Sequence, residues 1–274
     1  MRPLTADEEL LYNDGERLLP GITHSLEELV RHQSSYEFFK RVIEEDLRRE
    51  GRYGNGEVTI VDLGFGVGHG CKTLSTIPGS RVTGVDVASE CLSYARANYG
   101  APNIVHVISD IPQFIAQMPA FDYVVSRGVI EHVRDGINAM LKSRWAKRLM
   151  FDVPYDEPPD INQHHLISRI TEREFAEYPD KEILYEEVSG RIYGGPVQNP
   201  IPNMIMCVAS APGLPRVDQI IPLPIPAWDP PPGMRAMATT IAKLNDQLVR
   251  EREAAAAPPA PRSLLGAVVR RLTG

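Results

Sequence analysis

The stretch from Val58 to Gly70 reads VTIVDLGFGVGHG, and it decides the fold of the chain. Its β-branched and apolar start is typical of a buried strand. Glycines then occupy every second position, and glycine lets the backbone turn sharply and lets a ligand lie against the main chain. Because the residues from Cys71 onward can begin a helix, the stretch predicts a strand, a loop and a helix. We expect a ligand crevice at the carboxyl end of that strand.

The spacing of these glycines separates two kinds of nucleotide site. A dinucleotide fingerprint reads G-x-G-x-x-G and seats a pyrophosphate at the helix N-terminus. Here the glycines read G-x-G-x-G, and the third fingerprint position is His69 when counted from Gly64 and Cys71 when counted from Gly66. An acid before the loop, Asp62, also suits a cationic ligand better than a phosphate. The pattern therefore favours a positively charged ligand.

The sequence after this stretch alternates between strand and helix patterns. Strands are expected at 58–63, 81–87, 104–108, 123–126, 148–153, 183–188 and 204–209. Helices are expected near 69–76, 90–98, 111–118, 136–145 and 171–178. Five strand–helix repeats followed by two closing strands predict an α/β fold with a Rossmann-like, doubly wound, seven-stranded sheet.

The two ends of the chain differ from this central domain, which is expected over 55–211. Residues 1–24 look irregular, and a capping box at Ser25 and Glu28 then begins a helix that runs towards Gly51. Residues 1–54 are therefore predicted to form an N-terminal helical cap. Eight prolines in residues 212–232 predict an extended linker over 212–233.

Residues 234–274 are predicted to form a C-terminal helical tail. Apolar residues spaced like a two-heptad seam begin at Met234, and the last segment, from Arg262, has an apolar face with basic edges. The tail is expected to serve self-association or docking to a partner at a membrane surface. A tail without any partner is the alternative.

Composition excludes several classes of protein. The 274-residue chain is 43% hydrophobic with a net charge of −7, which argues against a nucleic-acid partner. Its three cysteines, Cys71, Cys91 and Cys207, are far apart, so neither a disulfide framework nor a cysteine metal site is expected. No apolar run is long enough to span a membrane, and the polar start predicts no signal peptide. A cytoplasmic protein is expected, peripheral at the membrane if the tail docks there.

Two more acids follow the second and third predicted strands. Asp86 lies 18 residues after Gly68, where a carboxylate can accept hydrogen bonds from ribose hydroxyls. Asp110 closes the third strand, where a carboxylate can accept a hydrogen bond from an adenine amino group while Ile111 packs on the ring. The same position also suits a helix N-cap. Together with Asp62, these residues predict a nucleoside ligand that carries a positive charge.

The segments VDLGFGVGHG, GVDVAS, SDI and FDYVVSRGVIEHV resemble, in order and spacing, those of class I S-adenosylmethionine-dependent methyltransferases. Their cofactor is a sulfonium cation joined to adenosine, which agrees with an acid at the glycine loop. The resemblance covers roughly residues 55–210, although Phe65 and Val67 stand where many relatives have a small or polar residue. It implies that S-adenosylmethionine is bound by Asp62, Gly64, Phe65, Gly66, Gly68, Asp86, Val87, Asp110, Ile111 and Arg127.

Two flanking segments, GERLLPGITHSLEELVRHQSSYEFF and VPYDEPPDINQHHLISRITEREF, resemble bacterial methyltransferases associated with surface-polysaccharide synthesis. This resemblance implies an O-methyltransferase that acts on a saccharide hydroxyl. We expect the helix over 25–48 to fold over the crevice, with Tyr36 or Phe39 lining the acceptor site, because aromatic faces suit the apolar face of a sugar ring. The tail could then dock to a glycan-synthesis enzyme. Two alternatives remain open. One is an O-methyltransferase of another small molecule, such as a quinone-like phenol. The other is a non-catalytic S-adenosylmethionine-binding subunit of a polysaccharide assembly.

A hydroxyl acceptor needs a group that removes its proton, and three histidines are candidates for that base: His132, His164 and His165. All three follow predicted strands at the same edge of the sheet. A metal is the alternative, because Glu131 and His132 resemble part of the E-x-x-E-H cluster of metal-dependent methyltransferases. Gly128 stands in place of the first glutamate. With His164 or His165 they would hold a divalent ion such as Mg²⁺, which would polarise the hydroxyl.

Overall fold

The computed structural model describes residues 5–14, 17–19, 26–198 and 202–236, together with residues 240 and 243. The chain divides into two compact units, one ending at Pro230 and the other beginning at Pro231. The described strands are β1 (Val58–Leu63), β2 (Ser80–Asp86), β3 (Ile104–Ile108), β4 (Phe121–Arg127), β5 (Trp145–Pro154), β6 (Lys181–Glu186), β7 (Ile192–Gly194) and β8 (Met204–Ser210).

Among the described residues, seven α-helices lie in the first unit. They are α1 (Ala6–Asp14), α2 (Leu26–Arg49), α3 (His69–Leu74), α4 (Ser89–Tyr99), α5 (Ile111–Gln117), α6 (Gly136–Leu141) and α7 (Val217–Ile220). Two 3₁₀ turns lie at Ile130–His132 and Glu172–Phe175. In the second unit, a helical turn is described at residues 232–236.

All eight described strands form one sheet in the order β3-β2-β1-β4-β5-β8-β6-β7. Strands β1 to β5 pair in parallel, whereas β8, β6 and β7 pair antiparallel with their neighbours. The predicted α/β, doubly wound sheet is confirmed. It has eight strands and not seven, because the short strand β7 adds to the edge.

The position of the crevice follows from this strand order. The chain builds β1, β2 and β3 outwards in one direction and then crosses back to place β4 on the other side of β1. The loops after β1 and β4 therefore leave the sheet in opposite directions, which opens a ligand crevice between them.

Both faces of the sheet are buried, because adjacent residues of a strand point to opposite sides. Ile60 belongs to one core cluster and its neighbour Val61 to the other. Helix α2 contributes Phe38, Phe39 and further apolar residues to the first cluster. Strands buried on both faces need continuous apolar runs, such as the start of β1.

Helix α2 corrects the predicted N-terminal cap. We expected the helix over 25–48 to fold over the crevice, but α2 covers one face of the sheet within the same compact unit as the strands. Its buried residues include Val42, Ile43 and Leu47, and only its first turns reach the crevice. The predicted capping residue, Ser25, lies outside the described residues.

Helix α1 also corrects the prediction of an irregular start. The backbone N–H of Thr5 donates to Glu8 Oε2 at 2.9 Å, and the N–H of Glu8 lies 3.3 Å from Thr5 Oγ1. This is a capping box, and its T-x-x-E pattern is visible in the sequence. Leu11 is then buried in the core cluster that also holds Ala95 of α4.

Two predicted helices are shorter than expected. Helix α6 ends at Leu141, where Ser143 Oγ donates to the carbonyl oxygen of Met140 at 2.6 Å, and β5 then begins at Trp145. The helix expected over 171–178 is only the 3₁₀ turn Glu172–Phe175, followed by Pro179 and by Asp180 at a positive φ of 39°. Strand β5 begins three residues earlier than predicted, and the other predicted boundaries of the sheet domain agree with the structure to within about two residues.

The predicted linker over 212–233 differs most from the structure. Residues up to Pro230 belong to the first compact unit, where Val217 and Ile221 are buried and Ile225 pairs with Ile192 of β7. The N–H of Trp228 donates to Ser34 Oγ of α2 at 2.8 Å. The prolines alternate with apolar residues, and these anchor the extended segment to the domain. The predicted tail at 234–274 lies almost entirely outside the described residues.

Within the part of the chain that the structure describes, no helix is both long enough and apolar enough to cross a membrane.

Candidate active site

A cavity of about 580 Å³ opens at the carboxyl ends of the parallel strands. Most predicted site residues lie in its lining: Gly64, Gly66, Asp86, Val87, Asp110, Ile111, Arg127, His132 and His164. The sequence reading did not single out four further polar lining residues: Arg17, His32, His69 and Arg134. The other predicted residues are not part of this lining.

The glycines after β1 are required for different physical reasons. A Cβ on Gly64 would lie 2.3 Å from the side chain of Val129, and one on Gly68 would lie 2.8 Å from Ala95 of α4. Gly66 also has a positive φ, of 50°, but no heavy atom lies within 4 Å of its added Cβ among the described residues. Gly64 and Gly68 therefore permit close packing, whereas Gly66 leaves room for a ligand.

Asp86 fixes the conformation of this loop. Its Oδ2 accepts a 2.8 Å hydrogen bond from the N–H of Gly66, and its Oδ1 accepts one of 2.9 Å from the N–H of Ala88. Arg17 approaches Oδ1 to 3.9 Å. A carboxylate has about four acceptor sites, so Asp86 can hold the loop and still accept from a ligand in the cavity.

Asp62 lies beneath the loop and not in the cavity lining. Its side chain has no exposed surface and accepts hydrogen bonds from Tyr36 Oη at 3.2 Å and from Cys71 Sγ at 3.3 Å. Burial raises the pKa of Asp62 to about 7, although both hydrogen bonds act to lower that pKa. The predicted direct contact of Asp62 with a ligand is therefore wrong: the carboxylate supports the loop from behind.

The other predicted cofactor residues divide in the same way. Val87 and Ile111 offer apolar surface to the cavity, and Val87 is 66% exposed. Asp110 lines the cavity and also caps α5, because its Oδ1 accepts from the N–H of Gln113 at 3.2 Å. Phe65 is buried, with its ring 4.8 Å from that of His106, so its predicted contact with the cofactor is not made by the side chain.

Arg127 lies at the end of β4, lines the cavity and is paired with two buried acids. Its Nη2 lies 3.4 Å from Glu186, and its Nε lies 4.0 Å from Asp152. Ser35 of α2 donates to Asp152 Oδ2 at 2.6 Å. Burial raises the pKa of Glu186 to about 8 and raises that of Asp152, although Arg127 opposes both shifts.

His69, the first residue of α3, is the main residue that sequence reasoning missed. Both ring nitrogens are buried and have no hydrogen-bond partner among the described residues, although the residue lines the cavity. Burial and the nearby charge of Arg127 lower the pKa of His69 to about 4, which keeps the imidazole neutral. Its place inside the glycine loop was the signal that could have identified it.

The histidines on the other side of the cavity come from two segments. The carbonyl oxygen of Glu131 accepts hydrogen bonds from the N–H groups of Leu166 and Ile167, at 2.8 and 3.1 Å. These bonds hold the loop after β5 against the 3₁₀ turn that carries His132. Consequently His132 Nδ1 lies 3.1 Å from the carbonyl oxygen of His164.

Glu131, His132 and His165 form a cluster whose ligand atoms all lie within 4.8 Å of one another. The His132 and His165 rings are 4.7 Å apart, and Nδ1 of His165 is hydrogen-bonded to Glu157. Oε2 of Glu131 has no hydrogen-bond partner among the described residues, and burial raises the pKa of Glu131 to about 8. His164 lines the cavity but is not part of this cluster.

The predicted acceptor residues of α2 are not in the cavity. Phe39 has no exposed surface and packs edge-on against Tyr36, with their ring centroids 6.1 Å apart. The ring of Tyr36 in turn fills the space beside Gly70, where an added Cβ would lie 2.0 Å from it. Both side chains are core residues, so the prediction that they line the acceptor site is wrong.

Residues 60–148 match the family model described as a methyltransferase domain. This methyltransferase-domain region begins within β1 and ends within β5. It contains every residue predicted to bind the cofactor, and it excludes α2 and the loop that carries His164 and His165.

Two curated relatives each match about a third of the chain. Phosphoethanolamine N-methyltransferase 2 of Caenorhabditis elegans is 29% identical over 92 residues, which are 32% of this chain and 21% of the relative. Demethylmenaquinone methyltransferase of Chlorobaculum tepidum is 35% identical over 91 residues, 32% of this chain and 35% of the relative. The chain thus spans about a fifth and a third of these two proteins.

Among solved structures, that of the bifunctional kinase-methyltransferase WbdD aligns with a TM-score of 0.48 and 14% sequence identity. The alignment covers 64% of this chain and 38% of that chain.

The methyltransferase-domain region and the loop after β5 together give the cavity two chemically different sides. One side presents the acids Asp86 and Asp110, which can accept from hydroxyl and amino groups. The other presents His132 and His164 beside the apolar side chain of Leu166. The arrangement suits a polar nucleoside on the first side and a second, smaller reactant on the other.

Proposed function

We propose that the chain is an S-adenosylmethionine-dependent O-methyltransferase that acts on a hydroxyl group of a saccharide or polysaccharide precursor. The pair formed by Gly66 and Asp86, inside the methyltransferase-domain region, carries the assignment of the cofactor. The saccharide acceptor is supported by the resemblance of the two flanking segments and by the mixture of imidazole and apolar side chains around His132.

The described residues fit this cofactor. Open space at Gly66 lets a ligand approach the main chain, and the remaining acceptor sites of Asp86 suit the two ribose hydroxyls. Val87 and Ile111 provide apolar surface for the adenine, with Asp110 close to its amino group. When bound, S-adenosylmethionine supplies an electrophilic methyl group on a sulfonium ion.

The amino-acid end of the cofactor would lie near Arg127 and His69. Arg127 carries a positive charge that suits a carboxylate. A neutral imidazole has one N–H donor and one acceptor nitrogen, and His69 can turn either towards a carboxylate or an ammonium group. The two ring nitrogens of His69, which have no partner among the described residues, could hydrogen-bond to this end of the cofactor.

His132 is the proposed base for the acceptor hydroxyl. If its Nδ1–H donates to the carbonyl oxygen of His164, its Nε2 is the basic nitrogen. Methyl transfer forms a carbon–oxygen bond, breaks a carbon–sulfur bond and releases the hydroxyl proton, which Nε2 accepts. A positioned base of this kind typically accelerates a reaction by about 10²–10⁴-fold.

A divalent ion held by Glu131, His132 and His165 is the alternative form of this assistance. The hydrogen bond from His165 Nδ1 to Glu157 would orient the imidazole as metal-binding histidines are commonly oriented. The unpartnered Oε2 of Glu131 would also gain a partner. An acceptor hydroxyl bound to such an ion loses its proton more readily.

A second acceptor class is favoured by a specific observation. The Chlorobaculum relative, at 35% identity, is named as a demethylmenaquinone methyltransferase, so a quinone-like phenol is the alternative acceptor. The other relative is named for phosphoethanolamine, whose acceptor atom would be nitrogen.

An acceptor screen with the full chain tests these proposals. The protein is incubated with S-adenosylmethionine and one of three acceptor sets: a panel of glycosides, a naphthoquinol or phosphoethanolamine. Release of S-adenosylhomocysteine is measured. Turnover with a glycoside and not with the other two supports the saccharide assignment, whereas turnover with the quinol alone replaces it. Tight binding of S-adenosylhomocysteine without turnover on any acceptor would favour a non-catalytic cofactor-binding subunit.

A further inference from the structure

A second groove of about 400 Å³ lies beside the cavity, between α5 and α6. Pro112, Ile115 and Ala116 of α5 form one wall. The rest of its lining comes from α6 and the segments before and after it: Arg134, Asp135, Ala139, Lys142 and Arg144. The floor is therefore apolar and the rim is charged.

The rim is predominantly basic. Arg134, Lys142 and Arg144 are all exposed, and among the described residues no carboxylate lies within 4 Å of their charged groups. The acid of the lining, Asp135, accepts a 2.6 Å hydrogen bond from Asn138 Nδ2, which holds its carboxylate towards α6. Three cations and one engaged acid give the groove a net positive charge on a chain whose net charge is −7.

The groove adjoins the cavity. Pro112 and Arg134 line both of them. His132, the proposed base, precedes Arg134 by two residues and also lines the cavity. A molecule that lies in the groove can therefore extend past Arg134 into the space where the methyl group would be transferred.

The chemistry of the rim favours phosphate over a carboxylate of the cofactor. Guanidinium groups bind phosphate through paired hydrogen bonds, and an ammonium group adds a compact charge. In the proposed function, the carboxyl end of the cofactor would be bound by Arg127, which lines the cavity but not the groove. The cations of the groove are thus available for an anionic group of another molecule.

We propose that this groove binds a phosphate group carried by the methyl acceptor, so that the acceptor is a phosphorylated compound whose hydroxyl reaches the cavity past Arg134. The inference rests on the proposed methyl transfer and narrows its substrate class. Phosphate that is not attached to an acceptor has the same local chemistry, so the test separates the two sources.

The test compares the wild-type chain with two triple variants. In the groove variant, Arg134→Gln, Lys142→Gln and Arg144→Gln remove the basic rim. In the matched control, Lys40→Gln, Arg41→Gln and Arg49→Gln remove the same charge from α2, where no ion pair of these side chains is present among the described residues. Calorimetry first measures binding of inorganic pyrophosphate and, separately, of S-adenosylhomocysteine to each protein.

We expect the groove variant to bind pyrophosphate at least tenfold more weakly than the wild type, and the control less than twofold more weakly. S-adenosylhomocysteine should bind the control variant within a factor of three of the wild type. Equal pyrophosphate affinity in the wild type and the groove variant would overturn the proposal. Failure of S-adenosylhomocysteine to bind the wild type would instead overturn the proposed function, because the pyrophosphate measurement does not depend on it.

A second arm distinguishes an acceptor phosphate from free phosphate. Methyl transfer is measured with matched sugars and sugar phosphates, and we expect the phosphorylated member to have a KM at least tenfold lower. This advantage should disappear in the groove variant and persist in the control. A groove that binds pyrophosphate but gives the sugar phosphate no advantage binds a free anion only, and that result refutes the acceptor phosphate.

Discussion

The N–H of Gly66 lies 2.8 Å from Oδ2 of Asp86, so the tip of the loop after β1 is hydrogen-bonded to the end of the neighbouring strand β2. The two residues have different requirements. Gly66 must leave space above the main chain, and Asp86 must hold that main chain in place while its other lone pairs remain available. A side chain at position 66 should therefore block the ligand space, whereas loss of the Asp86 carboxylate should remove hydrogen bonds.

Gly66→Ala should weaken S-adenosylhomocysteine binding by tenfold or more, and Gly66→Val should abolish it, because either side chain would occupy ligand space. Gly51→Ala is the matched control, since Gly51 also has a positive φ, of 69°, and no described heavy atom within 4 Å of an added Cβ. Both alanine variants should lose about 1–2 kcal/mol of stability through backbone strain. Calorimetry and thermal unfolding measure the two effects, and wild-type affinity in Gly66→Val would contradict the site.

Asp86→Ala should weaken cofactor binding by about 1.5–3 kcal/mol, the range for hydrogen bonds to a charged group. The control is Asp122→Ala, because Asp122 Oδ2 accepts from the N–H of Thr59 at 2.8 Å at the amino ends of β4 and β1, opposite the crevice. Both variants lose a carboxylate that accepts a hydrogen bond from a backbone N–H group. Only Asp86→Ala should change the affinity for S-adenosylhomocysteine. An equal loss of affinity in both would mean that Asp86 acts only through stability.

Tyr36→Phe keeps the ring that fills the space beside Gly70 and removes the hydroxyl that donates to Asp62. We expect a stability loss of about 1–3 kcal/mol together with weaker cofactor binding, because Asp62 supports the glycine loop. Tyr123→Phe is the control: its hydroxyl donates to Asp46 at 3.3 Å in the core beneath α2. That variant should lose stability at unchanged affinity, as measured by urea unfolding and calorimetry.

Asp62 should make stability depend on pH. Its pKa is about 7 in the folded chain, above its ordinary value of 3.8, so the folded state retains a proton that the unfolded state loses. The contribution of this carboxyl is fully present below pH 4 and is lost as the pH rises through 7. Asp62→Asn should therefore gain stability relative to the wild type between pH 5 and pH 8, on the order of 2 kcal/mol. A difference that stays constant over this range would show that Asp62 is ionised throughout.

His165→Ala and His164→Ala should separate the two forms of acceptor activation. If a metal assists, the wild-type chain should bind Mn²⁺ by calorimetry, His165→Ala should bind it at least tenfold more weakly, and His164→Ala should bind it normally. Dialysis against EDTA should then stop turnover and added Mg²⁺ should restore it. Full activity after EDTA treatment, with no Mn²⁺ binding, would leave His132 as an unassisted base.

The sheet and the glycine loop could be predicted because local rules and tertiary structure agree there. Strand β1 begins with an apolar run, and the loop after it has glycine at Gly64 and Gly66. The acid at the end of β2, Asp86, follows Gly68 by 18 residues, a spacing that can be counted in the sequence. The T-x-x-E pattern that begins at Thr5 is also a local signal, and it predicts the start of α1.

The roles of the residues beneath the cavity lining could not be predicted, because they depend on contacts with residues that are distant in the sequence. Asp62 has the right chemistry for a cationic ligand, but Tyr36 of α2 and Cys71 of α3 occupy its carboxylate. Phe39 has the right chemistry for a sugar ring, but the periodicity of α2 cannot say which face meets the sheet. The place of His69 beside the glycine loop is visible in the sequence, but the burial of its two ring nitrogens is not.

The central position of β8 has a consequence for how the chain is made. Residues 204–210 are buried throughout and lie between β5 and β6, so the sheet remains incomplete until that segment has been synthesised. A fragment that ended at residue 148, where the family match ends, would stop within β5 and expose its unpaired hydrogen-bonding edge. Such an edge readily pairs with other chains. The part of the chain that matches the family model, residues 60–148, should therefore aggregate when it is produced by itself. The loops that hold the site thus depend on β8, a strand that is synthesised after all of them.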